Sequence, residues 1–259
     1  MELRKRVGGN VPCVSTIWTI NPNTDSEEDV YMKIVMIHGQ NHKGSTFHIG
    51  RLLANKLNME STEFFFPRDM NHFCIGCYSC IEDETKCPFW SEKKIILDAM
   101  EQADIFIFTS PNYCLAPSGA MKSFLDLMFD YWMVHRPKEW MFSKRAVVIS
   151  TSAGASNNSA IKVVKNSLFG WGVPFVKSYG IAVQAMNWGM VKDEKKIKIE
   201  KDMTKLAKKL SCDKKPRVGI KTRFMFRMMG MMHSAGWDSS SVEKQYWEEK
   251  GWISGKCPW

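Results

Sequence analysis

The sequence predicts an α/β fold in which a parallel sheet carries helices on both faces. Strand-like and helix-like stretches alternate five times between Lys33 and Leu210, the pattern of repeated strand–helix crossovers. Most of the strand-like runs are apolar throughout, as expected of strands covered on both sides. Three of the loops that leave their ends, Gly39–Thr46, Pro111–Gly119 and Thr151–Ser156, carry chemistry that suggests a ligand site. Ligands in such sheets bind beyond the carboxyl ends of the strands.

The elements follow in order. Lys33–His38 holds Ile34, Val35 and Ile37, a short buried strand, and from Ile49 the residues Ile49, Leu52, Leu53 and Leu57 fall at helix spacing. Glu63–Phe66 reads as the second strand. Glu92–Ala103 is a helix with Ile95, Ile96, Ala99 and Met100 inward, and Asp104–Ser110 is a third strand ending at Pro111. Met121, Phe124, Leu125 and Met128 mark the next helix, Ala146–Thr151 the fourth strand, Ile161, Val164 and Leu168 another helix, and Val173–Val183 the fifth strand. A basic helix follows, with Ile199, Met203, Leu206 and Leu210 on its apolar side. Residues 1–31 lack periodicity and read as an N-terminal extension. Residues 32–211 form the expected core domain, with a Cys-rich insertion at 70–90, and 212–259 a C-terminal helical extension packing on the core or on a dimer partner.

Composition narrows the function. With 259 residues and 44% apolar content, the chain has material for a full core. It holds no run of 18 apolar residues, so no membrane-spanning helix is expected, and no apolar signal segment, so a cytoplasmic location is expected. The net charge of +9 comes from Lys192–Arg227, where 14 Lys or Arg stand against 5 Asp or Glu. Up to Lys209 these cations lie on one helix face without interleaved stacking aromatics, which argues against a nucleic-acid partner.

Gly39–Thr46, GQNHKGST, nearly spells a P-loop but has Ser45 in place of the lysine that reaches the outer phosphates of ATP. Hydroxyls of Ser45 and Thr46 beside a helix N-terminus suit a monophosphate; an ordinary strand–helix turn is the alternative. Cys74, Cys77, Cys80 and Cys87 form CxxCxxCx6C, followed by Pro88. Two-residue gaps let one turning loop present several thiolates to a single centre. A [4Fe–4S] cluster, zinc and free thiols all remain open for this run. The other four cysteines are singletons.

Three motifs in order resemble the flavodoxin-like NAD(P)H-dependent FMN oxidoreductases, and within them the iron–sulfur flavoprotein branch. GQNHKGST stands where that family has a Gly-Ser-Pro-Arg-type phosphate loop. SPNYCLAPSGAMKSFLD at Ser110–Asp126 matches its Ser-Pro-x-Tyr segment and Lys-containing helix. TSAGAS at Thr151–Ser156 matches its loop beside the flavin ring. The resemblance spans about residues 32–190. It implies a five-stranded sheet of order 2-1-3-4-5, FMN as cofactor, NAD(P)H or a ferredoxin-like redox protein as electron donor, a small molecule or redox protein as acceptor, and a homo-oligomer, a homodimer in the simplest case. Gln40, His42, Lys43, Ser45 and Thr46 would surround the phosphate. Pro111, Asn112 and Tyr113 would wall the isoalloxazine, and Ser152, Ala153 and Gly154 would bring N–H donors to its polar edge. Cys74, Cys77, Cys80 and Cys87 would ligate a [4Fe–4S] cluster passing single electrons to the flavin. No catalytic acid or base is assigned, and Lys122 reads as a solvated helix residue.

Two other functions compete. One is a cluster-free quinone, nitroaromatic or azo reductase working by hydride transfer alone; the other is a non-catalytic phosphate-binding adaptor. The Met-rich stretch Phe224–Met232 reads as a dimer or intrachain contact, a flap over the flavin or a membrane-surface helix. Tryptophans in Gln245–Trp252 are expected to anchor the tail to the core.

Overall fold

Strand β1 (Lys33–His38) pairs in parallel with β2 (Glu60–Phe65) on one side and β3 (Ile105–Tyr113) on the other, Val35 standing between Thr62 and Phe106. A two-residue arm, β4 (Ala116–Pro117), folds back antiparallel onto the end of β3. Beyond β3 lie β5 (Arg145–Ser152) and β6 (Phe175–Ala182), both parallel. The order is β2-β1-β3-β5-β6; with the short arm set aside this is the 2-1-3-4-5 sheet that the resemblance implies. The computed structural model describes residues 32–211 and 214–259. The expected N-terminal extension, residues 1–31, lies outside the described residues, as do Cys13 and Cys212.

The described helices are α1 (Ser45–Leu57), the one-turn α2 (Ser79–Glu82), α3 (Trp90–Gln102), α4 (Gly119–Leu127), α5 (Asn158–Gly170), α6 (Asp193–Leu210), α7 (Ile220–Ser234) and α8 (Ser241–Glu249). Successive strand residues point to opposite faces, and two cores result. Val35, Ile37, Phe106, Phe108 and Val148 meet α3, α4 and α5 through Ile96, Met100, Phe124 and Leu168. Ile34, Met36, Ile105, Ile107, Val147 and Ile149 meet α1 and α6 through Ile49, Leu53, Ile199, Met203 and Leu210. The basic helix therefore buries the stripe its periodicity marks and leaves its lysines to solvent.

Two boundaries differ from the sequence reading for identifiable reasons. Strand β3 does not stop at Pro111. Proline lacks an N–H, but Pro111 still sits opposite Thr151 of β5, and β4 pairs with Asn112 and Tyr113, so the strand is held past it. Ile95 is not inward but 62% exposed. The inner face of α3 is set by Lys93, Ile96, Leu97 and Met100. Lys93 is turned inward by Asp130, whose two carboxylate oxygens accept from its Nζ at 2.7 and 2.9 Å in full burial. Apolar spacing carries no signal of a buried ion pair.

The tail forms a third cluster in which Phe226, Met229, Trp247 and Trp252 pack with Met133 and Phe142. Trp247 Nε1 donates to the His135 carbonyl at 2.6 Å and the Tyr246 hydroxyl to that of Pro137 at 2.6 Å. Both tryptophans of the Gln245–Trp252 stretch are buried. No described helix is long and apolar enough to cross a membrane.

Candidate functional site

The carboxyl ends of β1, β3 and β5 deliver three loops to one place, and hydrogen bonds between the loops hold them there. Gly39 N–H donates to the Thr109 carbonyl at 2.7 Å. Ser118, the N-cap of α4, donates from Oγ to the Gly39 carbonyl at 2.5 Å, and its own N–H donates to Ser110 Oγ at 2.9 Å. A Cβ on Gly39 would lie 2.5 Å from Ser118 Oγ, so only glycine lets the first loop approach α4 this closely. Thr46 Oγ1 and Thr151 Oγ1 meet at 2.5 Å, and Asn112 Nδ2 donates to the Ser156 carbonyl at 2.7 Å.

These contacts enclose a cavity of about 240 Å³. Gln40, His42, Ser45 and Thr46 line it from the first loop, Pro111, Asn112 and Tyr113 from the second, and Ser152 and Ala153 from the third. Two of the residues named from sequence stand elsewhere. Lys43 lies over the Phe47 ring, 5.6 Å from its centroid. Gly154 borders a neighbouring open cavity of about 670 Å³ between α5 and β6.

Other lining residues escaped the sequence reading of the site. His38, Phe47, Thr109 and Thr151 contribute, as do Val183, Ala185 and Met186 from the chain leaving β6. Thr109 had one available signal, a hydroxyl inside the apolar run DIFIFTS; the segment after β6 had only its position at a fourth strand end. His38 is almost wholly buried. Its Nδ1 pairs with Thr109 Oγ1 at 2.8 Å and its Nε2 with Glu63 Oε2 at 3.0 Å, while Glu63 Oε1 accepts from Arg51 at 2.7 Å. The imidazole stacks on Phe65 at 4.4 Å. Burial lowers its pKa, the Glu63 bond opposing this without overcoming it.

The first loop runs into an uncapped helix. Gly44 gives α1 no side-chain cap, and the first turn has no acidic residue. The leading N–H groups of a helix have no intrahelical acceptor, so this end is a positive, donor-rich edge of the cavity. A Cβ on Gly44 would meet His42 Nε2 at 2.8 Å, so the glycine lets the imidazole lie close over the loop. Asn112 lines the same cavity, and its Oδ1 is buried with no hydrogen-bond partner among the described residues, an acceptor that a bound N–H would satisfy. A ligand that carries both an anion and a ring N–H fits this donor and acceptor set. The rim is strained: Cys114 and Leu115, between β3 and β4, have φ of 50° and 62°. Both centres of this tight turn are thus left-handed without being glycine.

Cys74, Cys77, Cys80 and Cys87 together line a small apolar cavity of about 20 Å³ with Tyr78 and Phe129. Cys74 and Cys77 are exposed and Cys80 is buried. Burial pushes the Cys80 thiol up to about 11, whereas hydrogen bonding from Ser79 lowers Cys77. Among the described residues no three His, Cys, Asp or Glu side chains stand where they could hold a metal ion. The thiols share a cavity but are not arranged as ligands, because the turn that carries them keeps Cys74 and Cys77 facing solvent.

With this geometry in view, the family is clear. The model of the NADPH-dependent FMN reductase family matches residues 32–187, and the chain belongs to that family. It is an FMN-dependent NAD(P)H oxidoreductase rather than a non-catalytic adaptor. The structure of the azoreductase AzrA is similar at 12% identity over 68% of this chain and 99% of that one, with a TM-score of 0.53. An FMN-dependent NADH-azoreductase from Bacillus anthracis in complex with FMN gives 12%, 68%, 99% and 0.51. The apo form of the NADH:FMN oxidoreductase EmoB gives 19%, 73%, 96% and 0.50. At these identities the likeness is one of fold. No curated protein matches the chain in sequence.

Proposed function

We propose that the three-loop cavity holds FMN as a resident cofactor and passes electrons from NAD(P)H to a small acceptor such as a quinone, nitroaromatic or azo compound. The observation that carries this reading is the uncapped, acid-free N-terminus of α1 bordering the same cavity as Asn112, whose Oδ1 is unpaired. Gln40, His42, Ser45 and Thr46 hold the monophosphate, with Lys43 adding positive charge nearby. Pro111, Asn112 and Tyr113 wall the ring. Ser152, Ala153 and Gly154 approach its polar edge by backbone, small side chains keeping that approach close.

Bound there, FMN supplies hydride acceptance from NAD(P)H and electron donation to the acceptor. The chain supplies orientation and electrostatics. At about 240 Å³ the cavity is smaller than the roughly 300–1,000 Å³ that encloses a ligand of this class. An FMN held here would therefore be only partly enclosed, which would leave room for the second reactant. The two electrons taken up as hydride would leave to the acceptor, whose protons would come from water. Residues 32–211 carry this chemistry in the cytoplasm, 212–259 pack on them, and the working form is a homo-oligomer. Anaerobic mixing of the FMN-loaded protein with NADPH or NADH tests the reading. Rapid bleaching of the flavin band, reversed by a quinone or azo dye, is expected; a band that neither nucleotide bleaches refutes it.

A second reading places a [4Fe–4S] cluster on Cys74, Cys77, Cys80 and Cys87, as in the iron–sulfur branch. It is favoured by the four thiols bordering one cavity. Their present arrangement does not fit a metal, so no electron-transfer step is drawn through it. Iron and acid-labile sulfide analysis after anaerobic purification distinguishes the two readings: equimolar iron and sulfide supports the cluster, and neither rejects it.

A further inference from the structure

Helix α7 turns an apolar face outward. Its inner side, with Thr222, Phe226, Met229, Gly230 and His233, is buried against α8 and the segment before β5. On the outer side Ile220 is 86% exposed, Phe224 66% and Met231 65%, and Trp237, just past the helix, is 74% exposed. Spacings of four and seven place the three helical residues in one line. Large apolar side chains this exposed, aligned rather than scattered, mark a contact surface.

The charge along this stretch of the chain is of one sign. Between Lys214 and Trp237 the sequence has six Lys or Arg and no Asp or Glu. Among the described residues none of the six pairs with a carboxylate, whereas cations elsewhere do, as at Arg51–Glu63 and Lys198–Asp202. Arg227 stands between Phe224 and Met231 on the outer face, and Lys221 and Arg223 flank it. Arg223 Nε donates to the Val218 carbonyl at 3.0 Å, which fixes its stem beside the helix.

We propose that the outer face of α7 docks on an anionic membrane surface. A bilayer interface offers hydrocarbon for Ile220, Phe224, Met231 and Trp237 and, at the same depth, lipid phosphates for the six cations. A second copy of the chain does not suit this face, since symmetric pairing sets six cations, none paired with a carboxylate among the described residues, against six more. Single-stranded nucleic acid suits it less: bases could stack on Phe224 and Trp237, but exposed Ile220 and Met231 would find no apolar partner, which a bilayer's hydrocarbon supplies. The location is also compatible with turnover. The face lies at the start of β5, where Phe142 packs on Phe226 at 5.4 Å and Arg145 donates to the Lys214 carbonyl. The three-loop cavity takes Thr151 and Ser152 from the other end of that strand, so a docked protein keeps its cavity open to water.

Co-sedimentation of the full-length protein with vesicles tests this. Binding to mixed phosphatidylglycerol–phosphatidylcholine vesicles is expected to exceed binding to phosphatidylcholine alone by about tenfold or more, and to fall as salt is raised. The double variants Lys221→Glu/Arg227→Glu and Ile220→Ser/Phe224→Ser change only outward side chains. Each is expected to lose about tenfold or more of the anionic-vesicle binding while reducing flavin with NAD(P)H at the wild-type rate. Equal binding to both vesicle types, or anionic binding that survives either double variant, overturns the proposal. So does a dimer that Ile220→Ser/Phe224→Ser converts to monomer, or a single-stranded oligonucleotide that displaces the vesicles.

Discussion

Thr46 and Thr151, 105 residues apart in sequence, meet hydroxyl to hydroxyl at 2.5 Å where the first and third loops close on the cavity. This contact ties the N-terminus of α1 to the end of β5. A change of Thr151 to Val removes one partner and leaves the other hydroxyl buried, costing about 1 kcal/mol in chemical denaturation. Thr46→Val also removes a hydroxyl available to a phosphate. Bonds to charged groups are worth about 1.5–3 kcal/mol, so FMN affinity should fall by roughly tenfold or more by fluorescence titration. An unchanged affinity would mean that the phosphate lies elsewhere.

The Lys93–Asp130 pair is fully buried and close enough to Cys80 to act on its thiol. Removing one partner of such a pair strands the other charge and costs about 3–5 kcal/mol, whereas replacing both by apolar residues of similar volume is nearly neutral or better. Lys93→Met should therefore lower the urea midpoint sharply, and Lys93→Met/Asp130→Leu should restore most of it. A double variant no better than the single one would show that the pair does more than neutralise itself.

His38 makes stability depend on pH. Burial lowers its pKa in the folded protein below the ordinary value of 6.5. Above about 6.5 the imidazole is neutral in both folded and unfolded chains and contributes no pH dependence. As pH falls, the unfolded chain takes up the proton first, so stability declines toward the lowered folded pKa. Urea midpoints at pH 7.5 and 5.5 should differ more for wild type than for His38→Gln, which keeps polar atoms for Thr109 and Glu63. Equal differences would assign the acid sensitivity to other groups. His48, whose pKa burial also lowers, is the first of these to test.

The cysteines should react in a fixed order. Thiolate is the nucleophile, and Cys77 is exposed with a lowered pKa, while Cys80 is buried with its pKa pushed up to about 11. Mild iodoacetamide followed by peptide mass mapping should label Cys77 early and Cys80 last. Protection of all four at once would instead indicate a shared ligand.

The sheet was legible because fully apolar runs such as KIVMIH and AVVIST carry their own burial, and because small polar loops mark the strand ends. Apolar spacing failed at Ile95, where an inward Lys93 took a core position, and at Pro111, where pairing across β5 and β4 carried the strand beyond a residue that ordinarily stops one. Nine of the eleven residues named for the cofactor gather at the cavity. Lys43 does not, since its long stem finds the Phe47 ring, and Gly154 falls just beyond the turn. His38 and Thr109 were hidden for the opposite reason: they sit inside strands, where polar residues read as exceptions and only three-dimensional pairing discloses their use.

The sharpest comparison is titration of the isolated protein with FMN and, separately, with riboflavin, followed by quenching of flavin fluorescence. A single FMN per chain should bind about tenfold or more tighter than riboflavin, because the α1 N-terminus recognises the phosphate, and Asn112→Ala should weaken both. Riboflavin binding as tightly as FMN, or no quenching by either, would contradict the assignment of the cavity.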